Sequence, residues 1–172
     1  MSHVHRSLIV TTVALACMAA SAHAQIRGAE ANVGLMAFQF DEHERWPAAG
    51  GRVRFGRMDS PVEIGIAGTV ALNPVFGGSW AHVDATVLHQ PLILGERVYW
   101  GAGYSLIGVD RGAGSGSGHG GHIVAGVRLR SDRRNYWSAE GRLLFGPPRV
   151  RQDGSHEPIR TATFLMSRVW RR

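Results

Sequence analysis

The stretch Val62-Glu63-Ile64-Gly65-Ile66-Ala67-Gly68-Thr69-Val70-Ala71-Leu72 decides the fold. Val62, Ile64, Ile66, Val70 and Leu72 recur with a period of two, while Glu63, Gly65, Ala67, Thr69 and Ala71 fall between them. Alternate residues of a strand point to opposite faces, so the segment reads as a strand with one apolar face and one small, polar face carrying a single carboxylate.

The same rhythm continues in both directions. Ser79 to Leu88 sets Ala81, Val83, Ala85 and Val87 against Trp80, His82, Asp84 and Thr86, and Val98 to Gly108 sets Val98, Trp100, Ala102, Tyr104 and Leu106 against Tyr99, Gly101, Gly103, Ser105 and Ile107. His122 to Arg130 opposes Ile123, Ala125, Val127 and Leu129 to Arg128 and Arg130. Tyr136 to Phe145 opposes Trp137, Ala139, Leu143 and Phe145 to Ser138, Glu140 and Arg142. Glu30 to Phe40, Gly51 to Arg57 and Ile159 to Trp170 are strand-like without a decided facing. Eight strands are expected, each of a length that crosses a bilayer when tilted, and an even number returns both termini to one side. No mature segment has the 18 consecutive apolar residues of a spanning helix.

The first residues explain where such strands would be used. A short basic start (His3, His5, Arg6), an apolar run from Leu8 to Ala20 and the small-residue exit Ala22-His23-Ala24 form a secretory signal over residues 1–24. Cleavage leaves residues 25–172 as one domain. Cys17 lies in the signal, so the mature chain has no disulfide and no Cys-based metal site. A lipoprotein reading would cleave before Cys17, where Ala14-Leu15-Ala16 is a poor match.

All 19 basic residues are Arg against 13 acidic residues, which suits an anionic partner such as lipopolysaccharide or simple structural ion pairing. An exported chain rarely meets nucleic acid. The polar faces carry Arg52, Arg54, Glu63, His82, Asp84, Arg128, Arg130, Glu140 and Arg142 among Gly101, Gly103 and Gly126. An eight-stranded barrel has an interior just wide enough for side chains. The expectation is therefore a lumen plugged by an ion-pair network of Arg52, Arg54, Glu63, Asp84, Arg128, Arg130, Glu140 and Arg142. Arg54 should stand about opposite Glu63, and Arg128 diagonal to Glu140. Outer loops are expected at Asp41 to Gly50, Asn73 to Gly78, Val109 to Gly121 and Gly146 to Pro158, with Gly112 to Gly121 a mobile loop. Turns on the terminus side are expected at Met58 to Ser60, His89 to Glu96 and Ser131 to Asn135. Phe38, Phe40, Trp80, Tyr99, Trp100, Tyr136, Trp137, Phe145 and Trp170 are read as interfacial girdles.

With the signal and the strand rhythm, Tyr99-Trp100-Gly101-Ala102-Gly103-Tyr104, Gly121 to Arg128 and Tyr136-Trp137-Ser138-Ala139-Glu140 resemble the small outer-membrane β-barrel superfamily that includes the OmpA transmembrane domain and OmpX. The resemblance implies an eight-stranded antiparallel up-and-down barrel in the bacterial outer membrane, inserted by the barrel-assembly machinery, in contact with outer-membrane lipids and lipopolysaccharide. It implies a structural or surface-interaction role with no cofactor. The chain departs from the family's aromatic ending, because Arg171 and Arg172 follow Trp170.

Three other functions are weighed. Some such barrels modify lipid A, but the His-x-Ser pair that would put base and nucleophile on one face is missing from the mature chain, so no catalysis is expected. A soluble periplasmic barrel would turn the apolar face inward around a ligand, and a hydrated lumen would make a narrow channel. Metal at His119, His122 and His156 or at Asp41, Glu42 and Glu44 is weighed against solvated loop residues, and no metal site is expected. The Gly-rich segments lack the Lys and the strand-to-helix context of a phosphate loop.

Overall fold

The computed structural model describes residues 25–38, 45–57, 60–73, 77–91, 97–110, 115–131, 135–150 and 156–171. The segment 1–24 expected to be a signal, with Cys17, and the acidic stretch Asp41, Glu42 and Glu44 lie outside the described residues, as does Phe40.

Eight strands form one closed barrel: β1 (Gln25–Phe38), β2 (Arg45–Gly56), β3 (Val62–Leu72), β4 (Ser79–His89), β5 (Val98–Asp110), β6 (Ser115–Ser131), β7 (Asn135–Val150) and β8 (His156–Arg171). Each pairs antiparallel with its sequence neighbours, and β1 closes on β8 through Gly28↔Arg171 to Phe38↔Thr161. Closure leaves no sheet edge with unpaired backbone groups.

The strands are longer than expected at the end away from the termini. β2 already includes Arg45 to Gly50, and β6 includes Ser115 to Gly121, so much of two expected outer loops is sheet. The Gly-rich segment is held on one side by β5, where Leu106 faces His119 and Gly108 faces Ser117. From Gly121 onward it is held on the other by β7. The ladder with β5, joined by β7 from Gly121, overrides glycine's weak strand preference. β7 and β8 likewise continue to Val150 and from His156, across the expected loop at Gly146 to Pro158. β1 begins five residues earlier than the sequence indicates, with Gln25 paired to Gly56. β3 ends at Leu72 and β4 begins at Ser79, the bounds expected, and before β4 Gly77 and Gly78 have φ of 69° and 125°, a conformation glycine adopts without strain.

Facing follows the sequence pattern. Along β3 and β4 the Glu63 and Asp84 rows are buried and the Val and Ile rows exposed. The apolar face is therefore the outer wall: Val33 is 62%, Leu106 61% and Phe164 57% exposed, whereas Arg52, Glu63 and Asp84 are 2% or less. A soluble barrel needs the reverse arrangement. The undecided strands resolve to Glu30, Asn32 and Met36 inside on β1, Arg52 and Arg54 inside on β2, and Thr161, Thr163, Leu165, Ser167 and Val169 inside on β8. Three of the expected girdle aromatics, Trp80, Tyr99 and Tyr136, are interior instead, each 2% exposed or less. Period two fixes this, because they share a face with Asp84, Ser105 and Glu140. Trp100, Trp137, Phe145 and Trp170 do stand on the outer wall.

Candidate functional site

The lumen holds the candidate site. Its wall positions are set by register: Glu30 faces Arg52 across β1 and β2, Arg54 faces Gly65 across β2 and β3, and Asp84 faces Ser105 across β4 and β5. Glycines on the inner face make room for large neighbours. A Cβ at Gly65 would come 2.9 Å from Arg52 Cδ, one at Gly103 would come 2.7 Å from the His122 ring, and one at Gly126 would strike the Tyr99 ring.

Into that space projects a continuous chain of ion pairs. Glu63 receives Arg27 at 3.1 Å and Arg171 at 3.9 Å from the end where the chain termini lie. Arg54 lies 3.5 Å from Glu63 and 2.7 Å from Glu30. Glu30 also takes Arg52 at 3.0 Å, and Arg52 donates through both terminal nitrogens to Glu140, each at 2.6 Å. That planar two-bond contact is the strongest geometry a guanidinium and a carboxylate have. Glu140 accepts further from Arg142 at 3.1 Å and from the Tyr99 hydroxyl at 3.0 Å, and the Arg54 guanidinium stacks 5.1 Å from the centre of the Tyr99 ring. Arg142 then pairs with Asp84, which lies 3.3 Å from His82 Nε2. The Trp80 indole N–H donates to His82 Nδ1 at 2.9 Å and ends the chain.

Six of the eight residues proposed from sequence thus meet in one line: Arg52, Arg54, Glu63, Asp84, Glu140 and Arg142. Arg54 and Glu63 are diagonal, because the register places Gly65 opposite Arg54. Arg128 is diagonal to Glu140 by register, but its side chain turns away, bonding Gln90 and stacking 4.8 Å over Tyr136. The Arg130 side chain lies outside what is described. Glu30, which joins Arg52 to Arg54, is the residue the sequence reading missed. Its signal was present in the alternation of Glu30 and Asn32 with Ala29, Ala31 and Val33, but the outer neighbours of Glu30 are small alanines and Met36 puts an apolar side chain on the inner face, so the two faces of β1 differ less than elsewhere.

His122 is also interior, not a loop residue, whereas His119 is exposed and hydrogen-bonds the Tyr104 hydroxyl. Ser105 Oγ donates to Asp84 at 2.5 Å and lies 2.8 Å from His122 Nδ1, while His122 Nε2 lies 2.8 Å from Thr86 Oγ1. The residue types match a nucleophile, base and acid, but the connectivity does not. Asp84 takes the serine proton's hydrogen bond directly, so the carboxylate orients the serine rather than the imidazole. Ser105 is fully buried. Among the described residues no three His, Cys, Asp or Glu side chains form a metal-holding group.

Apolar side chains complete the lumen around the ion pairs. Met36, Trp46, Trp80, Ile107, Leu144 and Leu165 fill the lumen towards the end away from the termini. Leu88, Tyr99 and Val124 pack together nearer the other end.

No family model matches the sequence, and no curated protein matches it. Among solved structures, Neisserial surface protein A superposes with a TM-score of 0.61 at 14% identity, covering 87% of this chain and 99% of that one. The N-terminal β-barrel domain of Pseudomonas aeruginosa OprF gives 0.51 at 13% identity, covering 84% and 98%. Identity at that level speaks for architecture alone, and with the closed sheet described above it gives the chain the fold of the small eight-stranded outer-membrane β-barrels.

Proposed function

We propose that the protein spans the bacterial outer membrane as a barrel with a solid lumen, and that it serves a structural or surface-interaction role. One observation carries this reading: a wall of exposed apolar side chains, Val33, Leu106 and Phe164 among them, stands on the outside of a closed sheet while the ion pairs are buried within. A continuous apolar wall is untenable in water and is the ordinary lipid face of a membrane barrel. In this reading both termini lie on the periplasmic side and the connections after β1, β3, β5 and β7 face outward. The assembly machinery inserts the exported chain, and the outer connections meet lipopolysaccharide or other molecules at the surface. The role is non-catalytic and needs no cofactor, which the direct Ser105–Asp84 hydrogen bond favours over nucleophilic chemistry.

Gel migration of unboiled against boiled protein from isolated outer membranes tests the reading. A faster unboiled band is expected. An unshifted band, with the protein recovered from the soluble periplasm, would overturn it. Lipid A mass spectra from cells with and without the protein should be identical; a mass change that depends on it would replace the non-catalytic role.

A further inference from the structure

The outer wall is not evenly covered. Cross-strand pairing puts Trp100, Ala125, Gly141 and Phe164 in one row across β5 to β8, with two large side chains flanking two small ones. All four face outward. The depression between them continues over Ala162 to Arg45, and together these residues line a groove of about 860 Å³ whose surface is almost entirely carbon. A Cβ built on Gly141 would meet nothing within 4 Å, so the floor is open. Trp100 is the third residue of β5, near the terminus end, and Arg45 is the first residue of β2 at the opposite end. Strands of a barrel are tilted, so a row of paired residues climbs the wall. The groove therefore crosses the lipid face and reaches the outward end at a cation.

A second cation stands beside it. Arg160 is exposed on the outward face of β8, two residues beyond Ala162, and Ala162 is linked in register through Ala37 to Arg45. Regular strand and residue spacings put the two Arg backbones roughly 12 Å apart. Each guanidinium is a fork suited to one phosphate.

We propose that this groove docks a lipid whose head group carries two separated phosphates, the phosphorylated lipid anchor of lipopolysaccharide, with acyl chain in the groove and a phosphate on each of Arg45 and Arg160. The proposal rests on the membrane-spanning reading above. A glycerophospholipid brings one phosphate and satisfies one Arg. A disaccharide phosphorylated at both ends satisfies both, and its leaflet is the one at which the groove ends. The apolar floor holds the chain, and the paired cations select the head.

Native mass spectrometry of the full mature barrel in detergent tests this, with bisphosphorylated lipid A, monophosphorylated lipid A and phosphatidylglycerol as probes. Bisphosphorylated lipid A should be retained about tenfold better than phosphatidylglycerol, with the monophosphorylated form between. Arg45→Glu combined with Arg160→Glu should abolish that preference. Gly141→Phe, or Gly141→Leu if the larger side chain prevents assembly, should lower retention of every probe. Faster unboiled migration first establishes that each variant has folded, and its failure in the wild type would sink the membrane reading rather than this site. Equal retention of phosphatidylglycerol and lipid A by folded wild type, or an intact preference in the double Arg variant, would overturn the proposal. A wild-type dimer that Gly141→Phe dissolves would overturn it in favour of a second copy in the groove.

Discussion

Glu140 is the residue on which most of the lumen converges, since Arg52, Arg142 and Tyr99 all donate to it. Replacing it by Ala leaves the Arg52 guanidinium buried with Glu30 as its remaining carboxylate. Breaking a buried pair by removing one partner costs about 3–5 kcal/mol. Glu140→Ala should therefore lower the urea midpoint of the refolded barrel, and Glu140→Leu with Arg52→Met should recover much of the loss. An unchanged midpoint in Glu140→Ala would mean the pairs bear no weight. Gly126 gives a steric counterpart. A Cβ there meets the Tyr99 ring, which is itself held by Glu140 and by the stacked Arg54, so it has little freedom to yield. Gly126→Ala should cost about 1–3 kcal/mol in the same assay. Gly68→Ala, where a Cβ meets nothing within 4 Å, should be tolerated. Sequence named the ionic residues because charges alternating with valines are conspicuous. It could not name Gly126 as the seat of an aromatic ring, because that contact depends on which strand lies opposite.

At the scale of the strand, the deciding property is which face carries bulk. β3 reads plainly because Ile64, Ile66 and Val70 are large and branched while Ala67 and Ala71 are small. β1 and β8 were unreadable for a physical reason: their inner faces carry Met36, Leu165 and Val169, so apolar residues occur on both sides and alternation fades. Glycine misled in the other direction, since the Gly118 to Gly121 segment gains its order from pairing with β5, which β7 joins at Gly121, rather than from its own preference. The outer face makes its own prediction. Ile66 is 49% exposed at the middle of β3, and a charge at mid-bilayer on the lipid face costs about 2–4 kcal/mol, falling towards the interfaces. Ile66→Arg should markedly reduce the fraction that folds into lipid vesicles, read as unboiled gel migration, and Val62→Arg at the strand end should reduce it less. Equal tolerance of both would argue against burial of this wall in lipid.

The whole molecule is a sheet rolled around its own polar face, and the order of layers inside it bears on transport. An ion entering from the end away from the termini meets Trp46 and Trp80 among Met36, Ile107 and Leu144 before reaching any charge. Beyond them the carboxylates are already occupied: Asp84 by Arg142 and Ser105, Glu140 by Arg52 and Tyr99, Glu30 by both Arg52 and Arg54. A permeating cation would have to displace a guanidinium from a buried carboxylate, and an anion would have to displace a carboxylate from a buried guanidinium. Either exchange leaves a charge unpaired at several kcal/mol. Channels that conduct keep their lumen polar and water-filled. The barrel reconstituted in planar bilayers should therefore be silent in concentrated salt, with the same gel shift that marks it as folded. Widening the mouth by Trp46→Ala and Trp80→Ala should leave it silent, because the ion-pair line lies behind the aromatic layer. Steady unitary steps from the folded wild type would show that the line of pairs opens in the membrane, and the solid lumen would have to be given up in favour of a gated one.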